Sequence, residues 1–275
     1  TGEPALQPLG GDLSMLTILQ EQENYTVYEL TFQRDGLQIY GNLYLPRSDA
    51  PSFPTVMIGH GFGGSYSEMA FYAAVLAENG IAGYVFDFCG GSSGSRSDGD
   101  TRQMSVLTEK RDMEAVLDGL KGYAFVDENK LFLMGESQGG LVAALLGEER
   151  TDDVRGMVLL YPALVIPDDA RDEYPNREDI PDIGNRFGIA VGRGYFDDVW
   201  DMDVYEEIGK FDKDVLIIHG SVDSIVPISY SEQAANKYPS AELIVLDGAG
   251  HGFYGTQREE AASEVVRFLQ ENLFE

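Results

Sequence analysis

Gly135-Glu136-Ser137-Gln138-Gly139 joins a short apolar run, Lys130 to Met134, to a second apolar run that favours helix, Gly140 to Leu146. A serine on a sharp strand-to-helix turn of this kind has its hydroxyl lifted above a sheet. Glycines flank it because a side chain at either place would strike the neighbouring strand and helix. The hydroxyl is a weak nucleophile and needs an adjacent base. The chain has three histidines, His60, His219 and His251. Around such a turn the acid and then the histidine follow the serine in chain order. His251 meets that order: it follows the apolar run Leu243 to Leu246 on a glycine-rich loop and precedes the last helical stretch. Asp223 is the favoured acid, on the loop after Val215 to His219, where ligand-binding groups of parallel sheets lie. Asp247 is the rival and reads as a turn-former; Asp214 starts a strand and lies at the wrong end. The tetrahedral intermediate of acyl transfer needs donors for its oxyanion. His60-Gly61-Phe62-Gly63-Gly64 follows the run Thr55 to Ile58, and the amides of Phe62 and Gln138 are the candidates for that oxyanion hole. His60 reads as a brace for this loop, and His219 as structural. With 32 glycines in the chain, the serine motif alone is weak. Gly90-Gly91-Ser92-Ser93-Gly94 also matches it, but polar turn residues follow and no helix does, so context selects Ser137.

Several elements must position these residues. Thr26 to Phe32 alternates as a strand, Asp35-Gly36 marks a hairpin turn, and Leu37 to Leu45 alternates again. Beyond a proline-bearing link, apolar strand-like runs at 55–59, 82–88, 130–134, 156–161, 214–219 and 241–246 alternate with helical patterns. The helices fall at about 67–79, 105–122, 138–148, 228–238 and 257–273. This order predicts an α/β protein: a mostly parallel sheet covered on both faces, entered through an antiparallel hairpin. Residues 1–24 read as a lead-in and 25–275 as one domain. An inserted lid is expected at about 163–211, too long for a crossover, acidic at its start and aromatic at its end.

The net charge is −28, which repels phosphate backbones and anionic membranes, so no nucleic-acid or membrane partner is expected. The lone Cys89 allows no internal disulfide, and the scattered histidines have no metal-ligand spacing, so neither metal nor cofactor is expected. No stretch reads as a signal peptide or a membrane span. The chain opens on Thr1, compatible with a trimmed form. It is therefore expected to be soluble, either cytoplasmic or secreted, with its oligomeric state open and a homodimer among the options.

Together, the His60–Gly64 loop, the Gly135–Gly140 turn, Asp223 and His251 resemble the α/β-hydrolase fold family over about residue 25 to the end. More narrowly, the chain resembles bacterial cinnamoyl and feruloyl esterases. The matching features are the His-Gly-Phe loop, Phe86-Asp87-Phe88 with the Gly/Ser-rich stretch after it, the Ser-Gln-Gly-Gly turn, and an insert of this length in this place. Cys89 departs from the pattern, standing where many relatives have Arg. The resemblance implies a serine carboxylic-ester hydrolase acting on hydroxycinnamate or similar small aryl esters, with the insert forming the aryl pocket. Phe187, Tyr195, Phe196 and Trp200 offer stacking surfaces, and Asp168, Asp169 or Tyr174 offers a partner for a phenolic hydroxyl. The same aromatics could equally anchor the insert to the core. The alternatives are a prolyl-oligopeptidase-like serine peptidase, a general short-chain carboxylesterase, an acyltransferase or thioesterase using the same residues, and a binding module without catalysis.

Overall fold

The computed structural model describes residues 13–274. Of the expected lead-in, residues 1–12 lie outside that range, while Thr17–Glu21 forms a strand, β1. Every residue of β1 is exposed, so the strand leaves no alternating burial pattern in the sequence. It pairs antiparallel with β2 (Tyr25–Arg34), which pairs with β3 (Leu37–Pro46). Asp35 and Gly36 turn between β2 and β3 with φ of 50° and 81°. A two-residue hairpin turn of this hand requires positive φ at both places.

From there strands and helices alternate: β4 (Phe53–Gly59), α1 (Tyr66–Glu78), β5 (Ala82–Phe86), α2 (Val106–Lys121), β6 (Val126–Glu136), α3 (Ser137–Glu149) and β7 (Gly156–Leu160). The segment after β7 holds α4 (Ile166–Glu173), a hairpin of β8 (Ile183–Arg186) and β9 (Ile189–Gly192), α5 (Arg193–Trp200) and α6 (Val204–Ile208). The chain then completes the sheet with β10 (Val215–Gly220), α7 (Ser229–Lys237), β11 (Ala241–Leu246) and α8 (Thr256–Glu271). The sheet order is β1-β2-β3-β5-β4-β6-β7-β10-β11, antiparallel as far as the β3–β5 pair and parallel beyond it. This is the α/β architecture anticipated above, with one more antiparallel strand.

Successive residues of a strand face opposite sides, and the central strands are apolar on both. Leu131 and Leu133 of β6, Met157 and Leu159 of β7, and Val215 and Ile217 of β10 pack under α2, α3 and the insert. Their neighbours Phe132 and Met134, Val158 and Leu160, and Leu216 and Ile218 pack under α1 and α8. The insert is tied to the body through its own polar groups. Ser105, which caps α2, donates to Asp198 of α5 at 2.5 Å, and Thr101 donates to the carbonyl of Ala190 in β9 at 2.7 Å.

The turn from β6 into α3 is the tightest point of the chain. Ser137 has φ of 49°, in the left-handed region that a residue with a Cβ rarely adopts. A Cβ on Gly135 would sit 2.1 Å from the carbonyl oxygen of Gly139, and one on Gly139 would sit 2.4 Å from that of His60. Both obstacles are backbone and cannot swing aside. Gly139→Ala should therefore lower unfolding stability by about 1–3 kcal/mol or more, by overpacking. Urea denaturation followed by circular dichroism would read this as a clear drop in midpoint; an unchanged midpoint would contradict the close approach.

Candidate active site

Ser137, Asp223 and His251 come from three separate strand ends and converge at the C-terminal edge of the parallel strands. Ser137 Oγ lies 2.8 Å from His251 Nε2, and His251 Nδ1 lies 2.8 Å from Asp223 Oδ2. In the tautomer this network requires, Nδ1–H donates to Asp223 and Nε2 accepts from the serine hydroxyl. The acid is held from four directions. Its Oδ1 accepts the amides of Ile225 and Val226, both at 2.9 Å, and its Oδ2 accepts from His251 and from His219 Nε2, the latter at 3.1 Å. Burial pushes the carboxyl of Asp223 up, but the donors from His219, His251 and the Val226 amide outweigh it and hold the group well below the usual carboxylate range. Asp223 thus stays ionised beside His251. Asp247, the rival acid, accepts from Ser221 at 3.2 Å on an exposed turn.

His219 therefore does more than fill space. Its Nε2–H points between Asp223 and the carbonyl of Val226 (2.9 Å), and its Nδ1 accepts from Ser231 at 2.7 Å. His60 is buried, and its Nδ1–H donates to the carbonyl of Gly61 at 2.7 Å while Nε2 accepts the amide of Phe88 at 3.1 Å. It ties the loop after β4 to the loop after β5, and burial pushes its pKa down, so it remains neutral. Asp87 braces the same region by accepting the amides of Tyr66 and Arg96. β5 ends at Phe86, short of the expected residue 88, where the Ser97 hydroxyl accepts the Tyr40 amide and donates to the Asp87 carbonyl in place of a direct strand-to-strand bond.

The two residues with the candidate oxyanion donors line the same cavity as the serine. Among the described residues the Phe62 amide has no hydrogen-bond partner, and Gln138 occupies the second position of α3, where an amide has no partner within the helix. The Gln138 side chain is fixed beneath them: Tyr195 donates to its Oε1 at 2.7 Å, and its Nε2 donates to Glu109 at 3.0 Å. Burial pushes the Glu109 carboxyl well above the carboxylate range, so a neutral acid sits at the bottom of the network.

Above Ser137 opens a cavity of about 640 Å³. Phe62, Phe187 and Tyr195 line it with rings 5.4 to 6.1 Å from that of Phe62, and Val165, Ile166 and Ile225 complete an apolar wall. Of the seven insert residues expected to contact substrate, Phe187 and Tyr195 reach it. Asp168 is taken by Arg171 and Tyr230, at 2.6 Å each. Asp169 pairs with Arg186 at 2.7 Å, so Arg186 and not Asp169 faces the cavity. Phe196 is buried between Tyr174 and Tyr195, and Trp200 donates its Nε1–H to the carbonyl of Tyr174 at 2.9 Å. These side chains anchor the insert.

Sequence reasoning missed Glu68, Tyr72, Glu136, Tyr161, Arg186 and Arg258, all on the cavity wall. Glu68 and Tyr72 stand four apart on α1, so helical spacing alone puts them on one face. Glu136 accepts the Gly61 amide at 3.2 Å and the Tyr161 hydroxyl at 2.6 Å. Tyr161 has φ of 33° and lays its ring edge-on to that of His251, 4.9 Å between centres. Such backbone strain clusters at functional sites.

The family model described as serine aminopeptidase, S33, matches residues 50–179, and that described as TAP-like protein matches 197–273. Est1E from Butyrivibrio proteoclasticus, in a structure with ferulic acid bound, superposes with a TM-score of 0.82 at 27% identity, over 90% of this chain and 100% of that one. The chain belongs to the α/β-hydrolase fold family. The hydrolase is also 28% identical over 220 residues to an uncharacterised protein of Mycobacterium tuberculosis, covering 79% of this chain and 69% of that protein. With the non-heme chloroperoxidase CPO-A1 of Kitasatospora aureofaciens it shares 28% identity over 176 residues, 48% of this chain and 64% of that one. Among the described residues of the hydrolase, no helix is long and apolar enough to cross a membrane.

Burial and the facing Glu136 push the carboxyl of Glu68 up to about 7. In the unfolded chain a glutamate titrates near about 4.3. Between these values the folded hydrolase keeps a proton that the unfolded chain has released, so this group makes stability fall as pH rises through the window. Glu68→Gln cannot ionise and should gain stability relative to the natural chain on going from about pH 4 to about pH 8. Denaturant midpoints of both proteins at the two pH values check this; a difference independent of pH would contradict it.

Proposed function

We propose that the protein is a serine carboxylic-ester hydrolase acting on hydroxycinnamate or similar small aryl esters. The observation that carries the hydrolytic part is the Ser137–His251–Asp223 relay, 2.8 Å at each step, at the floor of the cavity. His251 Nε2 takes the serine proton as Oγ bonds to the ester carbonyl carbon, and the oxyanion is received by the amides of Phe62 and Gln138. The carbon–oxygen bond to the alcohol then breaks, and His251 gives its proton to the departing oxygen. A water loses a proton to His251 and attacks the acyl-serine, and that proton returns to Ser137 as the acid leaves. Asp223 keeps the imidazole in its working tautomer and stabilises its positive form. His219 holds Asp223 in place from the far side.

Three features support the aryl specificity. Phe62, Phe187 and Tyr195 form a ring-lined slot. Arg186 stacks over Phe187 at 4.5 Å on the cavity wall, a guanidinium suited to a phenolic or methoxy oxygen. The third is the likeness to Est1E, whose structure holds ferulic acid.

The test compares kcat/KM for methyl ferulate, p-nitrophenyl butyrate and an aminoacyl p-nitroanilide. The reading expects methyl ferulate to lead, and Ser137→Ala to lose about 10⁴-fold or more. A lead for the butyrate ester would reduce the reading to a general carboxylesterase, and a lead for the anilide would replace it with a peptidase.

A further inference from the structure

Two polar ties join helix α5 of the insert to helix α2 of the body. They leave α5 at Tyr195 and Asp198, neighbours on one helical face, and reach α2 at Glu109 and at its cap, Ser105. The Asp198 tie is direct, from the Ser105 hydroxyl at 2.5 Å. The Tyr195 tie runs instead through the side chain of Gln138, which accepts the Tyr195 hydroxyl at 2.7 Å and donates to Glu109 at 3.0 Å. Gln138 directly follows the nucleophile, and its amide is one of the two candidate oxyanion donors. Gln138 and Glu109 are fully buried and Tyr195 nearly so.

We infer that the Tyr195 hydroxyl and Glu109 are positioning residues for the oxyanion hole: by holding both polar ends of the Gln138 carboxamide they set the aim of the Gln138 amide, so the hole is complete only while α5 is seated. The inference rests on the ester-hydrolase reading above, and it concerns the oxyanion, which every ester develops, rather than the acyl group.

Each bond in the chain has a fixed direction. The Arg186 guanidinium faces the Tyr195 hydroxyl, and a cation there leaves the hydroxyl to donate away from it, to Gln138 Oε1. Gln138 Nε2 then donates, and Glu109 must accept. Glu109 does so on Oε2, while its Oε1 has no partner among the described residues and its charged neighbour is another carboxyl, Asp112. A bare ionised oxygen is costly to bury, so Glu109 serves as a neutral acceptor. The sulfur of Met104, 3.6 Å from Nε2, is a weak one. A buried carboxamide that loses a partner must turn towards another. Gln138 has little room to turn alone, because it stands one residue past the strained Ser137 and one before Gly139, which is packed against the backbone of His60. A turn of its side chain therefore moves the Ser137–Gln138 peptide, and the amide with it. An oxyanion donor acts only when aimed at the developing charge, and a misplacement of about 1 Å can cost a hundredfold in rate.

The experiment measures kcat and KM for methyl ferulate and p-nitrophenyl butyrate with the natural protein, Tyr195→Phe, Glu109→Leu, Glu109→Gln and Asp198→Ala. Tyr195→Phe keeps the ring on the cavity wall and removes only the hydroxyl. It should lower kcat about tenfold or more on both esters alike, with KM changed by no more than about twofold, as for a contact made in the transition state. Glu109→Leu should do the same, and Glu109→Gln, which keeps a neutral acceptor, should recover most of that loss. Asp198→Ala cuts the direct tie of α5 without touching Gln138, and its kcat should stay within about twofold of the natural value. Affinity for a trifluoromethyl ketone, on which Ser137 forms a hemiketal oxyanion, should fall in Tyr195→Phe by the same factor as kcat/KM. An unchanged kcat in Tyr195→Phe, a loss confined to the ferulate ester or to KM, or an equal loss in Asp198→Ala overturns the positioning role and leaves the hydrolase standing. Absence of turnover of both esters by the natural protein overturns both.

Discussion

The chain passes from β6 to α3 through a single residue, and everything at the site depends on that reversal. Ser137 accepts a left-handed φ of 49° because Gly135 and Gly139 let the strand, the helix and the loop after β4 approach to backbone contact. The same approach sets the loop after β4 against the serine, where a Cβ on Gly61 would lie 3.3 Å from that of Ser137. It also fixes Glu136 and Gln138, the two neighbours of the serine, with opposite tasks. Glu136 faces the cavity wall under α1 and α8, where it accepts from Gly61 and Tyr161. Gln138 points into the protein, where Tyr195 and Glu109 hold it. The elbow is thus the junction at which the insert and the two-faced core are joined.

Electrostatics divide the site in a way that follows from solvation. Asp223 is removed from solvent yet ionised, because four donors replace the water it has lost. Glu109 is equally buried with a single donor, so it stays neutral. Glu68 lies between these extremes, facing another carboxyl beside the oxyanion loop. For Asp223 and Glu109 the donors supplied to the carboxylate decide the charge; for Glu68 burial and the neighbouring carboxyl do.

Much of this was legible in the sequence. The strand–helix alternation gave the sheet because apolar runs buried on both faces leave a continuous signature, as in β6 and β10. Ser137, His251 and Asp223 could be picked out because their loops follow such runs and carry their own turn residues. Exposed β1 left no such signature, since an edge strand without burial has no period to read. The insert was misread for a different reason. Aromatic clustering in sequence marks a packed region without telling which rings face inward. Trp200, Phe196 and Tyr174 satisfy one another, while Phe187, at a hairpin tip with φ of 48°, turns towards Phe62. Asp168 and Asp169 were claimed by nearby Arg171 and Arg186. The cavity wall of Glu68, Tyr72 and Arg258 was hidden because helices at opposite ends of the chain build it.

The central claim is that Ser137 carries the acyl group between the two halves of the reaction. The most direct measurement is intact-protein and peptide mass spectrometry after rapid acid quench of the enzyme with a turned-over ester. The account predicts one acyl adduct per chain, on the peptide that contains Ser137, and none in His251→Ala. An adduct on the peptide of Ser92 and Ser93, or hydrolysis proceeding with no adduct at Ser137 under conditions where acyl-enzyme accumulates, would contradict it.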